Sequence, residues 1–185
     1  MGSVYSGNRV YARRTDESTL YAIRQVDAMQ FPTEAFELRD RKLWQFNPPQ
    51  VLSVSVSYKG QSRKISRGPG GGWVTSPAYA AVTPAILDET LLQFGQLQAL
   101  AWVARGESNR TTFGFSDVAH QLSIEVKSGD KSVTLTLNFG QISPWNSPYA
   151  STTIGGETLV FGISAKVYDL YELVLRELRL VSTTP

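Results

Sequence analysis

The chain has no cysteine, one histidine and two methionines among its 185 residues. Without cysteine there can be no disulfide, no thiolate zinc site and no cysteine nucleophile. That absence leaves the compartment open, because cytosolic and bacterial extracytoplasmic proteins can both lack it. The lone histidine, His120, rules out metal centres of the His/Cys type; a site built on it would need carboxylates gathered from elsewhere. It follows Asp117-Val118-Ala119, which read as loop, and no serine stands in a nucleophile-elbow pattern, so no catalytic role is expected for it. No run of eighteen apolar residues is present to cross a membrane. Met1-Gly2-Ser3 has neither the basic stretch nor the apolar core of a signal peptide. The expectation is a cut start, with any signal or anchor upstream of residue 1.

Charge is also sparse: charged residues make up 18% of the chain and the net charge is +2. Its distribution is uneven. Residues 1–67 hold eleven Lys/Arg against six Asp/Glu, a balance of +5, while residues 68–185 hold seven against ten, a balance of −3. A basic face attracts phosphates or acidic partners, but these cations are scattered over several elements and read as solvated side chains. Asn109-Arg110-Thr111 fits a glycosylation sequon, which matters only in a eukaryotic secretory host. The glycine run Gly68-Pro69-Gly70-Gly71-Gly72 lacks the Lys-Ser/Thr ending of a phosphate loop and opens into Trp73-Val74, so it reads as a strand-to-strand connection.

What is present is repetition. Tyr11-Ala12, seven residues, then Leu20-Tyr21-Ala22-Ile23 returns as Tyr149-Ala150, nine residues, then Val160-Phe161-Gly162-Ile163. Each copy leads to a leucine-arginine-acid signature, Leu38-Arg39-Asp40 in the first and Leu175-Arg176-Glu177 in the second. The reading is one α+β domain over residues 1–185 with an internal duplication, its copies near 10–43 and 148–181. About four hairpins would form antiparallel sheet, with three helices packed on it in a ββα-type repeat.

Residues 10–14 and 19–24 read as a hairpin, and Pro32 suits the first turn of a helix running to about Lys42. Residues 51–58 alternate, with Leu52, Val54, Val56 and Tyr58 facing one way and Ser53, Ser55 and Ser57 forming a wet face. Thr83-Pro84 opens a helix expected to run to about Arg105 with a stop at Gly106, its stripe being Leu87, Leu91, Phe94, Leu97 and Ala101. Asp88 and Glu89 then lie in its first turn, where carboxylates favour the helix dipole. Leu122, Ile124 and Val126, a Ser128-Gly129-Asp130 turn, and Val133, Leu135, Leu137 and Phe139 form the clearest hairpin. Ser164 caps a last helix expected from Ala165 to Arg179.

Of the four tryptophans, Trp73 and Trp145 lie in Gly/Pro-rich loops and are the expected exposed ones. With Arg63, Lys64 and Arg67 they form the candidate contact surface. No catalytic, cofactor or metal residues are expected.

These pieces resemble a bacterial family known as the domain of unknown function 4340 family. They are Tyr11-Ala12, residues 20–23, residues 38–43 with their Leu38-Arg39-Asp40-Arg41 run, the hairpin of residues 51–67, Trp73, residues 84–105, Phe113-Gly114-Phe115 and residues 122–139. The run of residues 68–72 is an insertion relative to that pattern. The resemblance implies an envelope protein anchored by an N-terminal membrane helix, in some cases beside transporter components of the gliding-motility type. It implies no catalytic residues. The function expected is a non-catalytic, extracytoplasmic protein-interaction module, its partner another protein, with envelope transporter components the candidates. No nucleic-acid partner is expected, and membrane contact is expected only through a segment outside the sequence. The alternative is a ligand- or nucleic-acid-binding domain using the basic N-terminal half. An enzyme whose carboxylates are brought together only by the fold stands third.

Overall fold

Serine and valine alternating over residues 51–58 can bury one face of a strand and present hydroxyls on the other. In the computed structural model this alternation forms the middle of a large sheet. The structure describes residues 4–5, 8–28, 35–58, 60–74, 83–115, 120–144 and 146–172. It falls into two compact units, Met1–Arg39 and Asp40–Pro185.

The first unit holds β1 (Val4–Tyr5), β2 (Arg9–Ala12) and β3 (Tyr21–Arg24), hydrogen-bonded in that order, then α1 (Gln25–Ala28) and a 3-10 turn at Ala35–Leu38. Both strand pairs are antiparallel, and Tyr11 lies opposite Ala22 and Ala12 opposite Tyr21. The helix expected from Pro32 to Lys42 differs from what is found. Pro32 lies outside the described residues, the 3-10 turn ends at Leu38, and Lys42 makes an extended bridge to Gln98. Backbone bonds from Leu43 N to Leu97 O, from Phe46 N to Gly95 O and from Ala99 N to Arg41 O claim this segment for an extended ribbon.

The second unit is built on β4 (Val51–Tyr58), β5 (Gln61–Arg67), β6 (Trp73–Val74), α2 (Pro84–Phe94), β7 (Ala101–Arg105), β8 (His120–Ser128), β9 (Lys131–Ile142), β10 (Pro148–Ile154), β11 (Glu157–Gly162) and α3 (Ala165–Leu170). Its eight strands lie in the order β6-β5-β4-β8-β9-β10-β11-β7 with antiparallel neighbours. The protein is therefore α+β with mostly antiparallel sheet.

Directly opposed residues share a face, so the pairings set out two surfaces. One face carries Val54, Ile124, Val56, Leu122 and Leu137, then the row His120, Phe139, Ala150, Phe161 and Trp102. Most of these are buried, and Tyr171, itself fully buried, packs against Phe139 with ring centroids 4.4 Å apart and the rings tilted by 34°. The opposite face is hydroxyl- and amide-rich. It is drier than the sequence suggested at Ser53, which is buried and donates to the Glu125 carboxylate at 2.9 Å, because β4 is flanked on both sides and bulges between Val51 and Ser53.

Thr83 caps α2 as expected, its hydroxyl accepting from Ile86 N at 3.3 Å. Leu87, Leu91 and Phe94 are fully buried. The helix nevertheless stops at Phe94, eleven residues before the expected end. A side chain at Gly95 would collide with the Phe46 carbonyl, and residues 101–105 are taken up by β11 as strand β7. Trp102 lies opposite Phe161, whose ring meets it edge-on at 6.0 Å. Ser164 caps α3, and the expected continuation of that helix over residues 173–179 lies outside the described residues.

Candidate functional site

The described residues of the expected contact surface do not share one face. Arg67 donates to Asp88 at 2.6 Å, to Val51 O and Pro48 O at 3.0 Å each and to Gly71 O at 2.7 Å. Its guanidinium also lies 4.2 Å from the centroid of the Trp73 ring. Trp73 donates its indole N–H to the same Asp88 carboxylate at 2.9 Å and is only 8% exposed. Trp73 was expected to be exposed; it is buried because Arg67 covers its face and Asp88 holds its edge. Asp88 also has a different role from the dipole partner inferred from sequence: it ties α2 to β5 and β6. The glycine loop closes on itself through Gly68 N to Gly72 O at 2.8 Å and Gly71 N to Gly68 O at 2.9 Å. These amides serve the turn itself.

Arg63 and Lys64 point to opposite sides of β5, since Arg63 opposes Val56 and Lys64 opposes Ser55. Lys64 lies 3.6 Å from Glu125 on the hydroxyl-rich face. Hydrogen bonds from Ser53 and Ser132, together with the Lys64 charge, hold the Glu125 carboxyl below its ordinary range. Trp145 lies outside the described residues.

His120 opens β8, where a loop was expected. Its ring sits among Tyr58, Phe139 and Tyr171 at centroid distances of 4.7, 5.1 and 5.1 Å, with Nε2 3.8 Å from the Glu172 carboxylate. This is an aromatic packing cluster at the join of β8, β9 and the α3 end. Among the described residues, no three His, Asp or Glu side chains gather as a metal site.

The sequence reading missed two features. One is an open groove of about 570 Å³ along the 42–50 and 95–98 ribbon, lined by Lys42, Gln45, Asn47, Gln50, Gln96 and Gln98. Its amides come from two segments distant in sequence, so no local motif marks it. The other is the outer side of the N-terminal hairpin. Leu20 is 60% exposed and Tyr21 46%, while the residues at the matching places of the C-terminal hairpin, Val160 and Phe161, are both fully buried. The repeated sequence pointed to these positions, but exposure is a tertiary property that it did not reveal.

The described helices include none long and apolar enough to cross a membrane. No curated protein and no solved structure matches the chain. The family model described as "Domain of unknown function (DUF4340)" matches residues 1–110, more than half of the length. Strands β1 to β7 and the capped α2 fall within that match, β8 to β11 and α3 lie beyond it, and the chain belongs to the DUF4340 family.

Proposed function

We propose that this protein is a non-catalytic structural and protein-interaction module built on a duplicated ββα unit, working in the cell envelope beside transporter components. The observation that carries the reading is a pair of hairpins with one register and opposite surroundings. Tyr11 opposes Ala22 as Tyr149 opposes Gly162, and Ala12 opposes Tyr21 as Ala150 opposes Phe161. A helix begins two residues after Ile23 and two residues after Ile163. One hairpin is enclosed in a sheet; the other keeps apolar side chains open to solvent, and exposed apolar strand positions mark association surfaces. The envelope setting and the transporter neighbours are supported by the family resemblance.

A polar-ligand reading competes through the amide-lined groove beside Lys42. The basic N-terminal half offers less: Arg14, Arg24 and Arg67 pair with Asp16, Asp27 and Asp88 at 2.7, 2.7 and 2.6 Å. Thermal unfolding against metals, nucleotides, oligonucleotides and sugars separates the two readings. A ligand at about a hundred times its dissociation constant adds about 2.7 kcal/mol. That raises the midpoint of a domain of this size by roughly 5–10 °C. The module reading expects a flat panel and a partner captured by crosslinking in membranes; a shift of that order replaces it with the ligand reading.

A further inference from the structure

The correspondence between the two hairpins extends upstream of the repeated residues. Val4 on β1 opposes Val10, and Ile142 on β9 opposes Pro148, six residues on in each case. Within each connection stands one asparagine in the left-handed region, Asn8 at φ 60° and Asn146 at φ 58°, and no other non-glycine among the described residues has a positive φ. Short β1 therefore pairs with β2 at the place where the end of β9 pairs with β10, while β10 and β11 stay paired further toward their turn than β2 and β3 do.

One neighbour differs. β11 has β10 on one side and β7 on the other, whereas β3 has β2 on one side and, among the described residues, no strand on its outer side. An open edge is managed in other proteins by lysine, proline or an inward-pointing charge. Residues 20–23 carry none of these, and the first charge, Arg24, is turned back onto Asp27. The second copy in this same molecule shows what covers such an edge: an antiparallel strand whose Trp102 faces Phe161 and whose Ala101 faces Gly162.

We propose that the outer edge of β3 receives a β7-type strand from a second module of the same fold, one whose sheet has an open place between β9 and β7. The interaction is strand addition. Main-chain hydrogen bonds join the edges, Tyr21 meets the partner tryptophan as Phe161 meets Trp102, and Ala22 provides the small residue that Gly162 provides here. The larger phenol ring keeps its hydroxyl at the rim. This names the partner class of the module reading and rests on it.

Two full-length variants test the proposal. In the first, residues 148–163 are replaced by residues 10–23, so that the N-terminal hairpin lies between β9 and β7 of its own chain. The expected result is a cooperative unfolding transition, with a one-residue-shifted control losing it, because a slip of one residue turns every side chain to the other face. In the second, Leu159→Asp with Phe161→Asp clears the inner edge of β7, and this variant is co-expressed with the unaltered chain. The expected result is a one-to-one complex that Tyr21→Asp in the unaltered chain weakens about tenfold or more. If the hybrid folds but no complex forms, the docking proposal is overturned while the duplicated-unit reading stands. If the in-register hybrid fails as the control does, both are overturned.

Discussion

The hairpins β2–β3 and β10–β11 share side-chain order, register and a following helix, yet differ in almost everything that burial decides. Phe161 is fully buried and Tyr21 is 46% exposed. Local sequence can set strand pairing and the turn that precedes it, but the free energy a residue contributes depends on what its neighbours remove from water. The same pattern is a core element in one place and solvent-exposed in the other.

The sharpest way to break this comparison is to truncate the matched aromatics. Phe161→Ala should cost about 3–5 kcal/mol, the range for a buried phenylalanine, and Tyr21→Ala should cost about 1 kcal/mol or less. Urea denaturation of each variant measures the gap, and equal losses would mean that the N-terminal edge is already covered. The next effect concerns the node that anchors α2. Asp88→Ala leaves Arg67 and the Trp73 indole without their shared acceptor, and a loss of about 2 kcal/mol is expected, less than for a fully buried pair because Asp88 is half exposed.

The third test addresses what the hairpins have in common. Asn8→Ala and Asn146→Ala both place alanine in the left-handed region, so each should cost about 1 kcal/mol, and the matching glycine variants should be close to neutral. Similar losses at the two sites, measured by denaturation, would confirm that connection geometry is local even where burial is not.

The smallest effect is in acid. Glu125 has a folded-state pKa below its unfolded value, so its stabilisation is present above the ordinary glutamate range near 4.5 and is lost as pH falls through the lowered value. Glu125→Gln should flatten that part of the stability profile. Asp27 is lowered as well, by the hydrogen bond and charge of Arg24 alone, but it is half-buried at a well-solvated pair, and Asp27→Asn should flatten the same part of the profile less than Glu125→Gln does. A matching response at the two sites in a pH series of melting curves would erase the contrast between the units.

Much of the fold was legible because its signals are local. Alternation marked residues 51–58 and the β8–β9 hairpin, and a hydroxyl before the helix marked Thr83 and Ser164 as caps. The failures fall where a non-local partner overrides a local pattern. Leu97 and Ala101 continue the helical stripe of Leu87, Leu91 and Phe94, but Leu97 O accepts from Leu43 N, and Ala101 pairs with Gly162 on β11. Trp73 in a glycine-rich loop looked exposed because neither Arg67 over its face nor Asp88 at its edge is close enough in sequence to read as a partner. The amide groove was invisible for the same reason: its two walls lie about fifty residues apart.

The amino-acid sequence by itself determined the strand periods, the Thr83 and Ser164 helix starts and the absence of thiol chemistry, because each depends on a residue and its near neighbours. Only the tertiary structure decided that residues 101–105 are a strand, that Trp73 is buried and that β10–β11 is enclosed while β3, among the described residues, has a strand on one side alone. A strand is completed by hydrogen-bond partners from elsewhere in the chain, and burial is a property of everything that packs around a residue.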